Sequence, residues 1–185
     1  MAKKKASKTN VVNFIAILLA VLSIALFVAL PMIKQTITLG KLETVSTYGG
    51  FGMIFGGKVS AHITSTIGSN TSSSTAELEK VGFNAMAFIS LLLVVLGLVA
   101  TLMTTFVKSF KGNKLFTLVA GALLVVGGVL MLTLKGSSLK AIYPDALESI
   151  EEIAEYTKLG IGAIISAILA MVAGAGIIVF PLLKK

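Results

Sequence analysis

Four long stretches of this chain contain no charged side chain at all: Val11–Ile33, Phe83–Val107, Leu115–Leu134 and Leu159–Leu183. At about 1.5 Å of rise per residue, each is long enough to cross about 30 Å of hydrocarbon as a helix. Hydrocarbon offers no partner to a backbone N–H or C=O. Only a helix satisfies both within one segment. The stretches are therefore expected as four membrane spans, at about 11–33, 83–107, 115–134 and 159–183. A hydrophobic content of 56% supports this, because a soluble domain of 185 residues has no core large enough to hide it.

The charges between the runs set a direction. Lys3, Lys4, Lys5 and Lys8 precede the first run, Lys108, Lys111 and Lys114 link the second to the third, and Lys184 and Lys185 close the chain. No acid accompanies them. All eight acidic residues fall in the other two connecting segments. The positive-inside rule places the lysine-only pieces, 1–10, 108–114 and 184–185, in the cytoplasm. The segments 34–82 and 135–158 become outer loops. The expected localisation is the cell membrane, multi-pass, with both termini cytoplasmic. Alternate crossings from an inside N-terminus give the same map. The first run is too long for a signal peptide, whose apolar core spans about 7–15 residues, so it is read as a retained span.

The net charge of +8 would suggest nucleic acid in a soluble chain, but basic membrane flanks account for it. No nucleic-acid partner is expected. The absence of Cys excludes disulfides, thiolate nucleophiles and cysteine metal sites. All sixteen basic residues are Lys, a usage that fits an AT-rich bacterial genome.

Spans associate through close contact, because lipid tails are as apolar as leucine. The small residues that permit it are Gly97 and Thr101 in the second span and Gly121 and Gly128 in the third. The fourth carries a four-residue stripe, Gly162, Ser166, Ala170 and Gly174. Intramolecular packing and a homo-oligomer seam both use such stripes. The first span is bulkier, so the second, third and fourth are expected to pack most tightly. Pro31 should bend or end the first helix.

In the first outer loop, Lys58–Ile67 alternates apolar and polar, the period of a half-buried strand. Thr36–Leu39 and Phe51–Phe55 are further strand candidates, and Thr71–Thr75 is read as a mobile Ser/Thr run. Gly52 to Lys58 has the G-x4-G-K spacing of a phosphate-binding loop. It lacks the following Ser/Thr and helix, so no nucleotide is expected. His62, the only histidine, reads as a surface residue. In the second loop, Asp145 with Glu148 has the spacing of a capping box that opens a short helix. Glu148, Glu151, Glu152 and Glu155 form its polar face, a partner surface in the contact reading. Calcium sites use a sharp loop rather than a helix, so no metal or other cofactor is expected.

Four spans, inner termini, a long strand-rich first outer loop and a shorter second one resemble the layout of claudin-like tetraspans. The Trp and paired Cys of the claudin first loop are absent, so a junction-forming role does not transfer. Gly50–Gly56 after the first span and the link Lys108–Lys114 are also similar to small four-helix membrane proteins of Gram-positive-type bacteria. The fold class expected is an all-α transmembrane four-helix bundle with a small extracellular antiparallel β-sheet and a short amphipathic extracellular helix. It forms a single integral membrane domain over 1–185.

The spans carry no mid-membrane charge, which argues against a coupled transporter. The expected function is non-enzymatic contact, as a scaffold, accessory subunit or envelope-interaction protein. Its partners would be the lipid bilayer and a membrane or extracellular protein. An oligomeric channel or exporter is the alternative, with Ser90, Thr101 or Ser166 lining a wet route. A membrane immunity or stress protein is a third reading. No catalytic residue is expected; an enzyme would need His62 or the glutamates to converge on a pocket.

Overall fold

The computed structural model describes residues 8–110, 113–143 and 150–182. Among these residues, four long apolar helices form a bundle, capped at one end by a five-stranded antiparallel sheet and three short helices.

Helix α1 (Lys8–Ala29) stops just before Pro31, which has no N–H for the helix and disfavours α geometry in the preceding residue. Pro31, Met32 and Ile33 therefore leave the expected first span and open strand β1 (Pro31–Leu39). Strand β2 (Leu42–Gly49), helix α2 (Gly50–Phe55), β3 (Gly57–Ile67) and β4 (Asn70–Val81) follow. Helices α3 (Ala85–Phe106) and α4 (Lys114–Leu132) form an antiparallel hairpin. The chain then makes α5 (Leu134–Ile142), α6 (Ile150–Glu155), β5 (Thr157–Leu159) and α7 (Ile161–Leu182). Helices α1, α3, α4 and α7 are each long and apolar enough to cross a membrane.

Two asparagines start helices. The Asn84 side chain accepts from Ala87 N at 3.1 Å, and the Asn113 side chain accepts from Phe116 N at 3.1 Å. Around the bundle, α1 lies beside α3 and α7, while α4 lies beside the same two. The second and fourth spans, α3 and α7, are thus diagonal. The most extensive helix contacts are α4 with α7 and α3 with α4, within spans two to four as expected, and α7 also packs extensively on α1.

The strand order is β4-β3-β2-β1-β5. The alternation in Lys58–Ile67 is realised in β3, whose Val59 and Ala61 are buried while Ser60 and His62 are exposed. Phe51–Phe55 is a helix, not a strand. Met53 and Ile54 bury on one side and leave Phe51 and Phe55, four residues apart, on the other. Thr71–Thr75, read as mobile, is part of β4 and pairs in unbroken register with Thr66–His62 of β3. Its side chains are exposed at the sheet edge, so no apolar alternation marks it. The second loop also differs from expectation. Leu134–Ile142 is a helix that the sequence reading does not include. Thr157–Leu159 adds a strand to β1.

Candidate functional site in the sheet cap

The register sorts the sheet into two faces. Ile33, Tyr48 and Ala61 sit opposite one another across β1, β2 and β3, and all three are buried. One step further from the bundle, Gln35 aligns with Ser46 on one side and Thr157 on the other. The opposite face carries Thr47, His62 and Thr75 in one row. The Thr75 hydroxyl lies 3.2 Å from His62 Nδ1. Strands β3 and β4 leave a shallow depression of about 190 Å³ lined by His62, Ile63, Thr64, Ser73, Ser74 and Thr75. Lys58 and Glu77 pair at 3.8 Å, both well exposed, which contributes little stability.

A polar knot locks the two loops together on the buried face. Tyr48 donates its hydroxyl to Gln35 Oε1 at 2.7 Å, and Tyr143, just beyond α5, donates to the same oxygen at 3.2 Å. Burial pushes the Tyr48 hydroxyl well above the ordinary tyrosine range, and the adjacent Tyr143 hydroxyl adds to the rise. The Gln35 Nε2 is buried without a partner. Asn84, besides capping α3, donates Nδ2 to Ser138 Oγ of α5 at 3.1 Å. Gly82 N donates to Ala141 O at 2.7 Å, and Thr36 N to Tyr156 O at 2.9 Å. The residues of both loops therefore form one cap. This knot carries no sequence signature, since a lone Gln and two separated Tyr gain meaning only when β1, β2 and α5 meet.

Among the expected partner-surface residues, Glu151, Glu152 and Glu155 are exposed on α6. Glu148 and the Asp145 capping box lie outside the described residues. Helix α6 rests on α5 and β5, whereas His62 lies on the outward face of β3, so the glutamates and the histidine do not share a site. Among the described residues, no group of three or more His, Cys, Asp or Glu could hold a metal ion. The phosphate-loop spacing does not build a phosphate cradle. A Cβ at Gly52 would lie 2.6 Å from Val59 Cγ2, and strand β3 follows the glycines where a helix is needed.

The small residues of the spans sit between helices. Added Cβ atoms at Gly97 and Gly128 would lie 2.8 Å from Leu124 Cγ and from Ala167 O, respectively. At Gly121 and Gly174 they would lie 2.8 and 2.5 Å from each other's carbonyl oxygens, those of Gly174 and Gly121. Gly162 instead faces Leu30 and Pro31 at the end of α1. Ser166 accepts at its carbonyl oxygen a 2.7 Å hydrogen bond from Ser23 of α1. The stripe on α7 thus serves α1 near the cap and α4 at the other end, with Ala170 buried between them. The Ser90 and Thr101 hydroxyls are donated to Ala87 O and Gly97 O of their own helix.

Neither a scan against protein-family models nor a search of curated proteins finds a match to this chain.

Proposed function

We propose that this chain is a four-span integral membrane protein that works by contact, as a scaffold, accessory subunit or envelope-interaction protein. The bundle sits in a bacterial cell membrane with both termini in the cytoplasm. The cap faces outward, as the lysine distribution requires. The arrangement resembles the claudin-like tetraspan layout without the claudin Trp and Cys.

The observation that carries this reading is the contrast between cap and bundle. Both loops are stitched into one unit that leaves His62, Thr75 and three α6 glutamates exposed. The polar side chains of α3 are turned inward. Ser90, Thr101, Thr104 and Thr105 each donate to a carbonyl of α3 itself. Hydroxyls used in this way do not favour a wet path through a single bundle.

A photoreactive residue placed at Glu151, Glu155 or Thr64, followed by irradiation of intact membranes, tests the proposal. The expected result is one discrete adduct at cap positions, weakened when Glu151, Glu152 and Glu155 are all changed to Lys. A monomer without adducts removes the contact reading. Ion conductance by the purified protein in planar bilayers supports the channel alternative instead. Orientation is tested separately with single-Cys variants in this Cys-free chain. An impermeant thiol reagent should label Glu151→Cys in intact cells and leave Lys108→Cys untouched.

A further inference from the structure

The phenylalanines divide between the two ends of the bundle. Of the ten in the chain, Phe27, Phe51, Phe55, Phe83 and Phe88 lie at the cap end. The others, Phe14, Phe106, Phe110, Phe116 and Phe180, lie within two turns of the opposite helix ends or in the α3–α4 link. Along α3, the eighteen-residue step from Phe88 to Phe106 corresponds to about 27 Å at the helical rise, close to the thickness of a hydrocarbon core.

At the cap end, the rings form a continuous ladder. Phe51 and Phe55 are 4.9 Å apart, Phe55 and Phe88 are 6.1 Å apart, and Phe83 and Phe88 are 5.5 Å apart. Three of these rings face outward: Phe51 is 62% exposed, Phe55 43% and Phe83 57%. Such exposure is costly in water for a contiguous aromatic patch. The patch continues without a break into the exposed apolar flank of α3 at Met86 and Ile89. Helix α2 is also packed closely on the end of α1. Gly50 is wedged against the carbonyl oxygens of Phe27, Val28 and Leu30, where any Cβ would collide.

The geometry points to a binding surface for lipid: α2 and Phe83 form an interfacial anchor. Their rings insert among headgroups and upper acyl chains and hold the sheet cap at a set height and tilt above the bilayer. Short amphipathic elements with aromatic rings on the apolar side settle at that depth. Lipid is the occupant because the patch prolongs the same apolar belt that the spans present along α3. The inference rests on the membrane reading above and adds that the cap itself touches the bilayer.

The chain has no Trp, so each introduced Trp is a sole reporter. The variants Phe51→Trp, Phe83→Trp, Leu96→Trp and Ser73→Trp are placed in phosphatidylcholine–phosphatidylglycerol vesicles. The lipids carry bromine either near the carbonyl or near the methyl end of the acyl chain. Leu96, exposed midway along α3, reports the bilayer centre, and Ser73, exposed on β4, reports water. Expected at positions 51 and 83 are blue-shifted emission and a several-fold stronger quenching by the shallow label than by the deep one. Red emission without quenching there places the patch in water and overturns the anchor. Blue emission without quenching by either label shows a protein covering, such as a second copy, and also overturns it. Deep quenching at position 96 with no quenching at 51 and 83 removes the anchor alone. Loss of deep quenching at position 96 removes the membrane reading and the anchor with it.

Discussion

Gly174 and Gly176 lie two residues apart on α7 and answer the same substitution in opposite ways. At Gly174, an alanine Cβ would lie 2.5 Å from Gly121 O, 2.8 Å from Val125 Cγ2 and 3.0 Å from Leu124 Cβ. The nearest of these atoms is backbone, so relief requires α4 and α7 to separate. Overpacking of this kind costs about 1–3 kcal/mol. At Gly176, a Cβ meets nothing within 4 Å. Alanine also gains about 0.8–1.0 kcal/mol of helix propensity over glycine, and this gain applies at both positions alike. Gly176→Ala should be neutral or slightly stabilising. Gly174→Ala should be about 1–3 kcal/mol less stable than Gly176→Ala. The assay is an SDS titration in mixed micelles, followed by thiol labelling of a Cys at Ala120, a buried position on α4 in a chain without native Cys. Equal midpoints for the two variants would refute the close approach of α4 and α7 at Gly121 and Gly174.

Three further outcomes are expected. Tyr143→Phe removes one bond to Gln35 and should cost about 1 kcal/mol, whereas Gln35→Ala strands the buried Tyr48 hydroxyl and the half-buried Tyr143 hydroxyl and should cost about 2–3 kcal/mol. Hydrogen exchange at the β5 amides reads both, and unchanged protection in Gln35→Ala would contradict the knot. Tyr48 has a raised folded-state pKa, so the folded protein keeps that proton after the unfolded chain has lost its own. Stability is therefore unaffected by this group below about pH 10 and falls as pH rises beyond it. In an absorbance titration, the most alkaline tyrosine transition should disappear in Tyr48→Phe. Ser23→Ala deletes the bond to Ser166 O between α1 and α7 and should cost about 0.6 kcal/mol, with about 1.7 as the ceiling for such bonds. A larger loss in the same SDS titration would mean that Ser23 also packs in a way that its hydrogen bond does not explain.

The long apolar runs were legible as helices because length and lack of charge leave one way to satisfy the backbone in hydrocarbon. Strand β3 was legible because its two faces meet different surroundings, so alternation survives in Val59, Ser60, Ala61 and His62. Strand β4 was not, because an exposed edge imposes no alternation on Thr71–Thr75. Helix α2 was misread because a six-residue apolar segment shows too few turns to separate a period of 3.6 from one of two. Helix α5 was hidden by Gly136, Ser137 and Ser138, whose turn preference is overridden once Leu134, Leu139 and Ile142 find a core to bury in.

By itself, the amino-acid order determined four crossing-length helices, the end of the first before Pro31 and the confinement of every carboxylate to two of the connecting segments. These are local or compositional properties that need no partner. The three-dimensional fold alone decided that the second loop contributes β5 to the first loop's sheet and that Gln35 meets Tyr48 and Tyr143. It alone also decided that the α7 stripe divides between α1 and α4. Those outcomes join residues as many as 143 positions apart, as in the Ser23–Ser166 bond. Contacts at that range depend on which surfaces are left to bury after the helices form, and no periodicity along the chain records them.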